Sequence, residues 1–237
     1  MSDAPILFFS PGACSFGAIV ALEWANIPYQ LCKAEKAERQ TDAYKKINYQ
    51  GQVPAYSTGE RILTENIAIL EHIAARAPEK NLQFKQGSME DDTMNMILSY
   101  YSSNFHPAWW PYYAPMRFHD DEKVQGELKE KAITNIRTKY EFVEKCFEGC
   151  GDNSLHFDHK TIADAYFYGM ARWGTNTKIM DVKKSYPKIG NFMNKMEADP
   201  AVQFALAIEK GEEAKTTGKF QGLIKLEQVK APAKKAA

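Results

Sequence analysis

An excess of charge of either sign is missing from this chain: 30 Lys and Arg residues balance 30 Asp and Glu over 237 residues. No broad field exists to collect nucleic acid or an anionic membrane, so the expected partner is a small molecule. Long apolar runs are missing as well. None approaches the ~20 residues that cross a bilayer, and the stretch from Met1 to Pro11 lacks the basic start and apolar core of a secretory signal, so a cytoplasmic location is expected. Cysteine is scarce. Cys14, Cys32, Cys146 and Cys150 form no C-x-x-C pair and have no histidine at ligand spacing, which argues against a disulfide framework and against a metal site. His156 and His159 fall in a polar loop and read as solvated. Strand signals are absent after residue 90.

What is present is ordinary globular composition, 44% hydrophobic and 25% charged, in a chain longer than the commonest single domain. Two domains are expected. Over residues 1–80 short apolar runs alternate with helical patterns, the mark of an α/β unit. Strands are expected at 6–9, 29–33 and 55–57, with helices at 15–24 and 65–77 and a poor, charged helix within 35–49. Residues 79–88 read as a linker. Long helices are expected at 91–109, 120–147, 161–174 and 187–198, and a shorter one at 200–209, making an all-helical domain over 89–211. Thr161 and Asp164 have the spacing of a capping box. The extension 212–237 ends in Lys, Ala and Pro, and beyond about residue 227 it should be disordered and contribute nothing to folding.

Cys14 follows a strand and the Pro11-Gly12 turn at the start of a helix, where free N–H groups favour an anion. Two readings stand, a thiol of low pKa that iodoacetamide modifies ahead of the other cysteines, or a small buried packing residue. Val53-Pro54 opens a strand, where a cis bond would present the Val53 backbone to an extended peptide. Thr64, Glu65 and Asn66 precede an apolar helix and offer either a ligand cradle or an ordinary cap. His106 alone reads as a surface or core residue. The stretch from His106 to Tyr113 is rich in aromatics and proline, which fits an apolar second-substrate pocket on one side, and helix packing or a dimer contact on the other, equally.

Ser-Pro-Gly-Ala-Cys-Ser at 10–15, Asn48 with Gly51-Gln52-Val53-Pro54, Leu63 to Leu70, Thr161 to Ala165 and Asp199 to Val202 together resemble the glutathione transferases, and most closely the beta class of bacteria. The resemblance implies a thioredoxin-like N-terminal domain, an all-helical C-terminal domain, a homodimer, and glutathione as co-substrate. Cys14 then matches the cysteine at the glutathione sulfur, with Ser15 beside it and His106 approaching the thiol. Gln52, Val53 and Pro54 match the loop that holds the tripeptide, with Pro54 cis, and Glu65 and Asn66 match the pair at its γ-glutamyl end. The lysine that grips glutathione has no clean counterpart here, Arg39 being the candidate. Asn66 stands where relatives carry a small residue, and Ser99 where they carry asparagine. Trp109, Trp110, Tyr113 and Trp173 are the candidate walls of a second-substrate pocket. Phe8 and Phe9 occupy the first strand, so no tyrosine hydroxyl is available there. The implied activity is conjugation to electrophiles, thiol-disulfide exchange through Cys14, or both; the alternative is a non-catalytic binding or assembly module on the same scaffold.

Overall fold

A computed structural model describes residues 4–149 and 155–229. The first strand, β1 (Ile6–Phe9), leads into α1 (Phe16–Ala25), whose ten residues are all buried, so it is a core helix rather than an amphipathic one. Asn26 ends α1 in the left-handed conformation, with its N–H on the carbonyls of Leu22 and Glu23. Then follow β2 (Pro28–Lys33), a 3-10 turn at Glu38–Gln40, the single-turn α2 (Asp42–Lys45), β3 (Ala55–Ser57), β4 (Ile62–Leu63) and α3 (Asn66–Ala75). β1 pairs parallel with β2 and antiparallel with β3, and the Thr58 to Arg61 turn folds β4 back on β3. The expected strands and helices of this region are all found.

The later helices are α4 (Met89–Tyr100), α5 (Trp110–Tyr113), α6 (Glu122–Glu148), α7 (Ile162–Ala171), α8 (Trp173–Asn176), α9 (Val182–Ser185), α10 (Pro187–Glu197) and α11 (Pro200–Lys210). The helix expected over 91–109 is not continuous. It widens to a π turn at Tyr101–Phe105 and tightens to a 3-10 turn at Pro107–Trp109, because Pro107 and Pro111 lack the N–H that α-helical pairing needs. α6 carries its apolar residues at helical spacing, burying Ala132, Ile136, Tyr140, Val143 and Phe147.

Residues grouped by contact form two units, Met1–Phe84 with Lys160–Gly169 and Met196–Ala237, and Lys85–His159 with Met170–Lys195. This partition differs from the linear one expected, since most of α7 and all of α11 group with the sheet. Gly17 on α1 is the reason for the first: a Cβ there would meet the Ala165 carbonyl oxygen at 2.7 Å and Tyr166 Cα at 2.9 Å, so the helices touch backbone to backbone. For α11, Trp24 Nε1 donates to Asp199 Oδ1 at 3.1 Å, and the same oxygen caps the helix through Ala201 N–H.

The largest departure lies past residue 211. A fifth strand, β5 (Lys219–Ile224), pairs parallel with β2 and gives the sheet the order β4-β3-β1-β2-β5. The expectation that the extension carries no strand is therefore corrected. Phe220, Gly222 and Ile224 alternate inward with outward neighbours, a period of two that Gly222 disguises by supplying a backbone kink at φ +110° instead of a side chain. Leu226 and Val229 also pack on the core, so the tail contributes at least that far. Residues 230–237 and Cys150 lie outside the described residues.

Thr161 and Asp164 are fully buried, and one Asp164 carboxylate oxygen accepts from the Thr161 N–H at 2.8 Å and from its hydroxyl at 3.0 Å. Asp164→Ala leaves both donors buried without that acceptor. We expect a loss of about 2 to 4 kcal/mol in chemical denaturation, and an unchanged midpoint would exclude this role.

Candidate functional site

In the first unit the turn from Ser10 to Ser15 delivers Cys14 to the start of α1. Gly12 takes φ +75°, Ala13 N–H donates to Ser10 O at 3.1 Å, and the Ser15 hydroxyl exchanges hydrogen bonds with the Ser10 backbone. Ser15 is fully buried, so the structure gives its hydroxyl the work of closing the turn rather than that of touching a reactant.

Three segments distant in sequence meet at Cys14. Its thiol donates weakly to Val53 O at 3.8 Å, and Asn66 Nδ2 donates to Cys14 O at 3.1 Å. The Val53-Pro54 bond is cis, as the resemblance implied. Gln52 is held by its carbonyl, which accepts from the Tyr44 hydroxyl at 2.8 Å and from Asn48 Nδ2 at 3.0 Å. Glu65, immediately before α3, sits at φ +65°, a conformation a residue with a Cβ rarely adopts.

The electrostatics of Cys14 reverse the expectation of an acidic thiol. Burial pushes its pKa up to about 12, and the nearby Glu65 carboxylate adds to this. The backbone N–H groups of Cys14 itself and of Ser15 act in the expected direction, as does Arg39, but together they do not overcome desolvation of a side chain only 8% exposed.

Two buried polar atoms in this region have no hydrogen-bond partner among the described residues, Arg39 Nε and Asn66 Oδ1. Buried groups are rarely left so, and an orphan donor on a cation with an orphan acceptor suits a ligand bearing both a carboxylate and N–H groups. Cys14, Val53 and Asn66 are in contact, and the charges of Arg39 and Glu65 act on the Cys14 thiol. Tyr166, a buried phenol on α7 that the sequence reading did not single out, has its pKa raised chiefly by burial and takes a hydrogen bond from Asn66.

The second unit gathers the other candidates. His106 stacks on Trp110 at 5.8 Å between ring centroids and lies 5.3 Å from Trp173; Trp109 contacts both Tyr113 and Trp173 at 5.5 Å. Trp109 and Trp173 are buried core, whereas Trp110 is partly exposed and Tyr113 is 48% exposed. Burial pushes the His106 pKa down to about 4, which keeps the ring neutral at pH 7. Its folded value lies below the unfolded one, so the unfolded chain takes up the proton first. Stability contributed above about pH 6.5 is lost as pH falls toward 4, by about 2 to 3 kcal/mol, and His106→Gln should flatten that limb of the pH–stability profile.

Residues 15–81 match the N-terminal domain of glutathione S-transferases and residues 108–207 their C-terminal domain. The chain belongs to the glutathione S-transferase family. A glutathione S-transferase of Xanthomonas campestris is 29% identical over 203 residues, spanning 86% of this chain and 98% of that protein. Among solved structures, a sphingomonad glutathione S-transferase complexed with glutathione is 31% identical at a TM-score of 0.76, covering 86% of this chain and 98% of its own. The bacterial beta class enzyme of Sphingomonas chungbukensis is 28% identical at a TM-score of 0.75, with the same coverage. The family's fold, a thioredoxin-like N-terminal domain with a mixed sheet and a helical C-terminal domain, accounts for β1 to α3 and for the helices after them.

Proposed function

We propose that this glutathione S-transferase binds glutathione in the Cys14, Val53 and Asn66 cradle and conjugates it to small apolar electrophiles through the sulfur of glutathione itself. The observation that carries this reading is the buried, high-pKa Cys14 thiol. A group with a pKa of about 12 is ionised to only roughly one part in 10⁵ at pH 7, so Cys14 serves as a hydrogen-bond donor rather than as a nucleophile. Its S–H and the adjacent backbone N–H groups suit a sulfur anion brought by the substrate. The glutathione thiol gives its proton to water or a base to form that anion, the anion then forms the new carbon–sulfur bond, and the electrophile's leaving group departs with the bonding electron pair.

In this reading the Val53 backbone holds the cysteinyl part of glutathione, Glu65 faces its amine, and the backbone N–H groups at the start of α3 receive the adjoining carboxylate, with Asn66 Oδ1 left to accept from an N–H of the ligand. Arg39 takes the glycyl carboxylate. The resemblance assigns His106 to the glutathione thiol, and an imidazole kept neutral by burial suits a hydrogen-bond partner there rather than a base. Trp110 and Tyr113 suit a flat apolar electrophile.

We also infer a cytoplasmic homodimer. Cys14 and Cys32 are unbridged thiols, as a reducing compartment keeps them, and among the described residues no helix is long and apolar enough to cross a membrane. The exposed Met96 and Phe142 supply apolar surface for a partner copy.

Assaying Cys14→Ser and Cys14→Ala with an aryl halide and glutathione tests the reading. Conjugation by the serine variant should stay within about fivefold of the parent, while the alanine variant, lacking a donor to the anion, falls about tenfold to a hundredfold in kcat/KM. Conjugation absent from the parent, with strong thiol-disulfide exchange abolished in both variants, would transfer the function to a nucleophilic Cys14. A parent inert in both assays would favour a binding or assembly module.

A further inference from the structure

The segment from Thr216 to Val229 lies beyond residue 207, where the match to the family's C-terminal domain ends, and the glutathione cradle contains none of its residues. Yet it is tightly built. At its start the carboxylate of Glu23, 2% exposed, accepts from the Thr216 hydroxyl at 2.9 Å, the Gly218 N–H at 2.9 Å, and both the N–H and the hydroxyl of Thr217; the Tyr29 hydroxyl donates to the same carboxylate. A buried carboxylate supplied with five donors is a strong latch. β5 then runs along β2, with Phe220 against Tyr29 and Phe204 at 5.5 and 5.2 Å between ring centroids.

Beyond the strand the segment reaches the residues that support the cradle. Ile224, Leu226 and Val229 pack on the cluster of Phe8, Cys32, Tyr44, Ile47 and Ala55, and Val53 packs on that same cluster. Tyr44 fixes the Gln52 carbonyl, and the 3-10 turn before α2 carries Arg39. One helical turn cannot hold itself, so the placement of α2 depends on what packs against Tyr44 and Ile47.

We propose that residues 216–229 form a strap that positions the glutathione-binding loop, setting affinity for glutathione through Tyr44 and Val53 without touching it; this rests on the glutathione reading above. Glu23 anchors the strap at one end, and Leu226 and Val229 pack at the other on the cluster that contains Tyr44 of α2. The strap is therefore a positioning element of the transferase site.

Two variants of the full chain test it. In Gly218→Val the new side chain begins 3.0 Å from Glu23 Oε1 and 3.1 Å from the Glu23 backbone, which forces the latch apart, and Leu226→Ala with Val229→Ala loosens the other end more gently should the first fail to fold. In the folded variants the KM for glutathione should rise about fivefold or more while kcat at saturating glutathione stays within about twofold. Amide hydrogen exchange over residues 39–53 should accelerate. Leu223→Ala, on the outer face of β5, should change neither. A lowered melting temperature with KM and exchange over 39–53 unchanged would overturn the strap and leave a stabilising tail. If the parent neither binds nor turns over glutathione, the functional reading fails, and the exchange measurement still decides the strap: acceleration supports it and no change overturns it.

Discussion

Iodoacetamide at pH 6.5 will modify the exposed Cys146 ahead of Cys14 in the folded protein, and Cys14 will react at a normal thiol rate only after unfolding. Alkylation follows the thiolate fraction, and raising a thiol from ~8.5 to about 12 lowers that fraction by roughly 10³-fold. Burial slows the reagent further. The same shift carries a pH signature. Because the folded pKa of Cys14 lies above its unfolded value, the thiol contributes stability below about pH 9 that is lost as pH rises toward 12. Cys32, also pushed up to about 12 by burial, adds to that alkaline loss. Mass spectrometry of peptides after timed alkylation reads the order directly, and rapid labelling of Cys14 in folded protein would restore the acidic-thiol reading.

Glu65→Gly should make the protein more stable and a poorer binder of glutathione. Glutamate at φ +65° is strained by an amount on the order of 1 kcal/mol or more, and glycine relieves it, offset in part by the greater freedom of glycine in the unfolded chain. The net gain expected is about 0.5 to 1 kcal/mol. The substitution also deletes the carboxylate that faces the amine of glutathione, and losing a charge-assisted contact weakens binding about tenfold to a hundredfold. Opposite signs for stability and affinity are the expected mark of strain retained for function. Thermal melting and calorimetric titration with glutathione check both; a less stable variant with unchanged affinity would make Glu65 an ordinary helix-start residue.

Local patterns account for what sequence made legible. Ile6 to Phe9, the Pro11-Gly12 turn, the stop at Asn26 to Pro28 and the alternation at Ala55 to Ser57 are written in adjacent residues, and each element appears where expected. The cradle residues Cys14, Val53, Glu65 and Asn66 were identified by resemblance and are brought together in one unit. Quantities set by tertiary packing were not legible. The position of Cys14 at a helix start predicts the sign of the backbone N–H effect correctly, but desolvation depends on how closely the rest of the folded chain covers the thiol, which no spacing encodes. Tyr166 reaches the cradle because Gly17 lets α7 approach α1, a relation between residues about 150 apart in the chain. β5 is not legible because it carries glycine at its centre and its partner strand lies more than 190 residues earlier.

The central claim is that the reactive sulfur anion belongs to glutathione and not to Cys14, and ultraviolet thiolate absorbance at pH 7 tests it most directly, compared between the parent and Cys14→Ser before and after glutathione is added. The account predicts no difference between the two proteins without glutathione, and a new thiolate band in both when it binds. A thiolate band in the glutathione-free parent that vanishes in Cys14→Ser would contradict it.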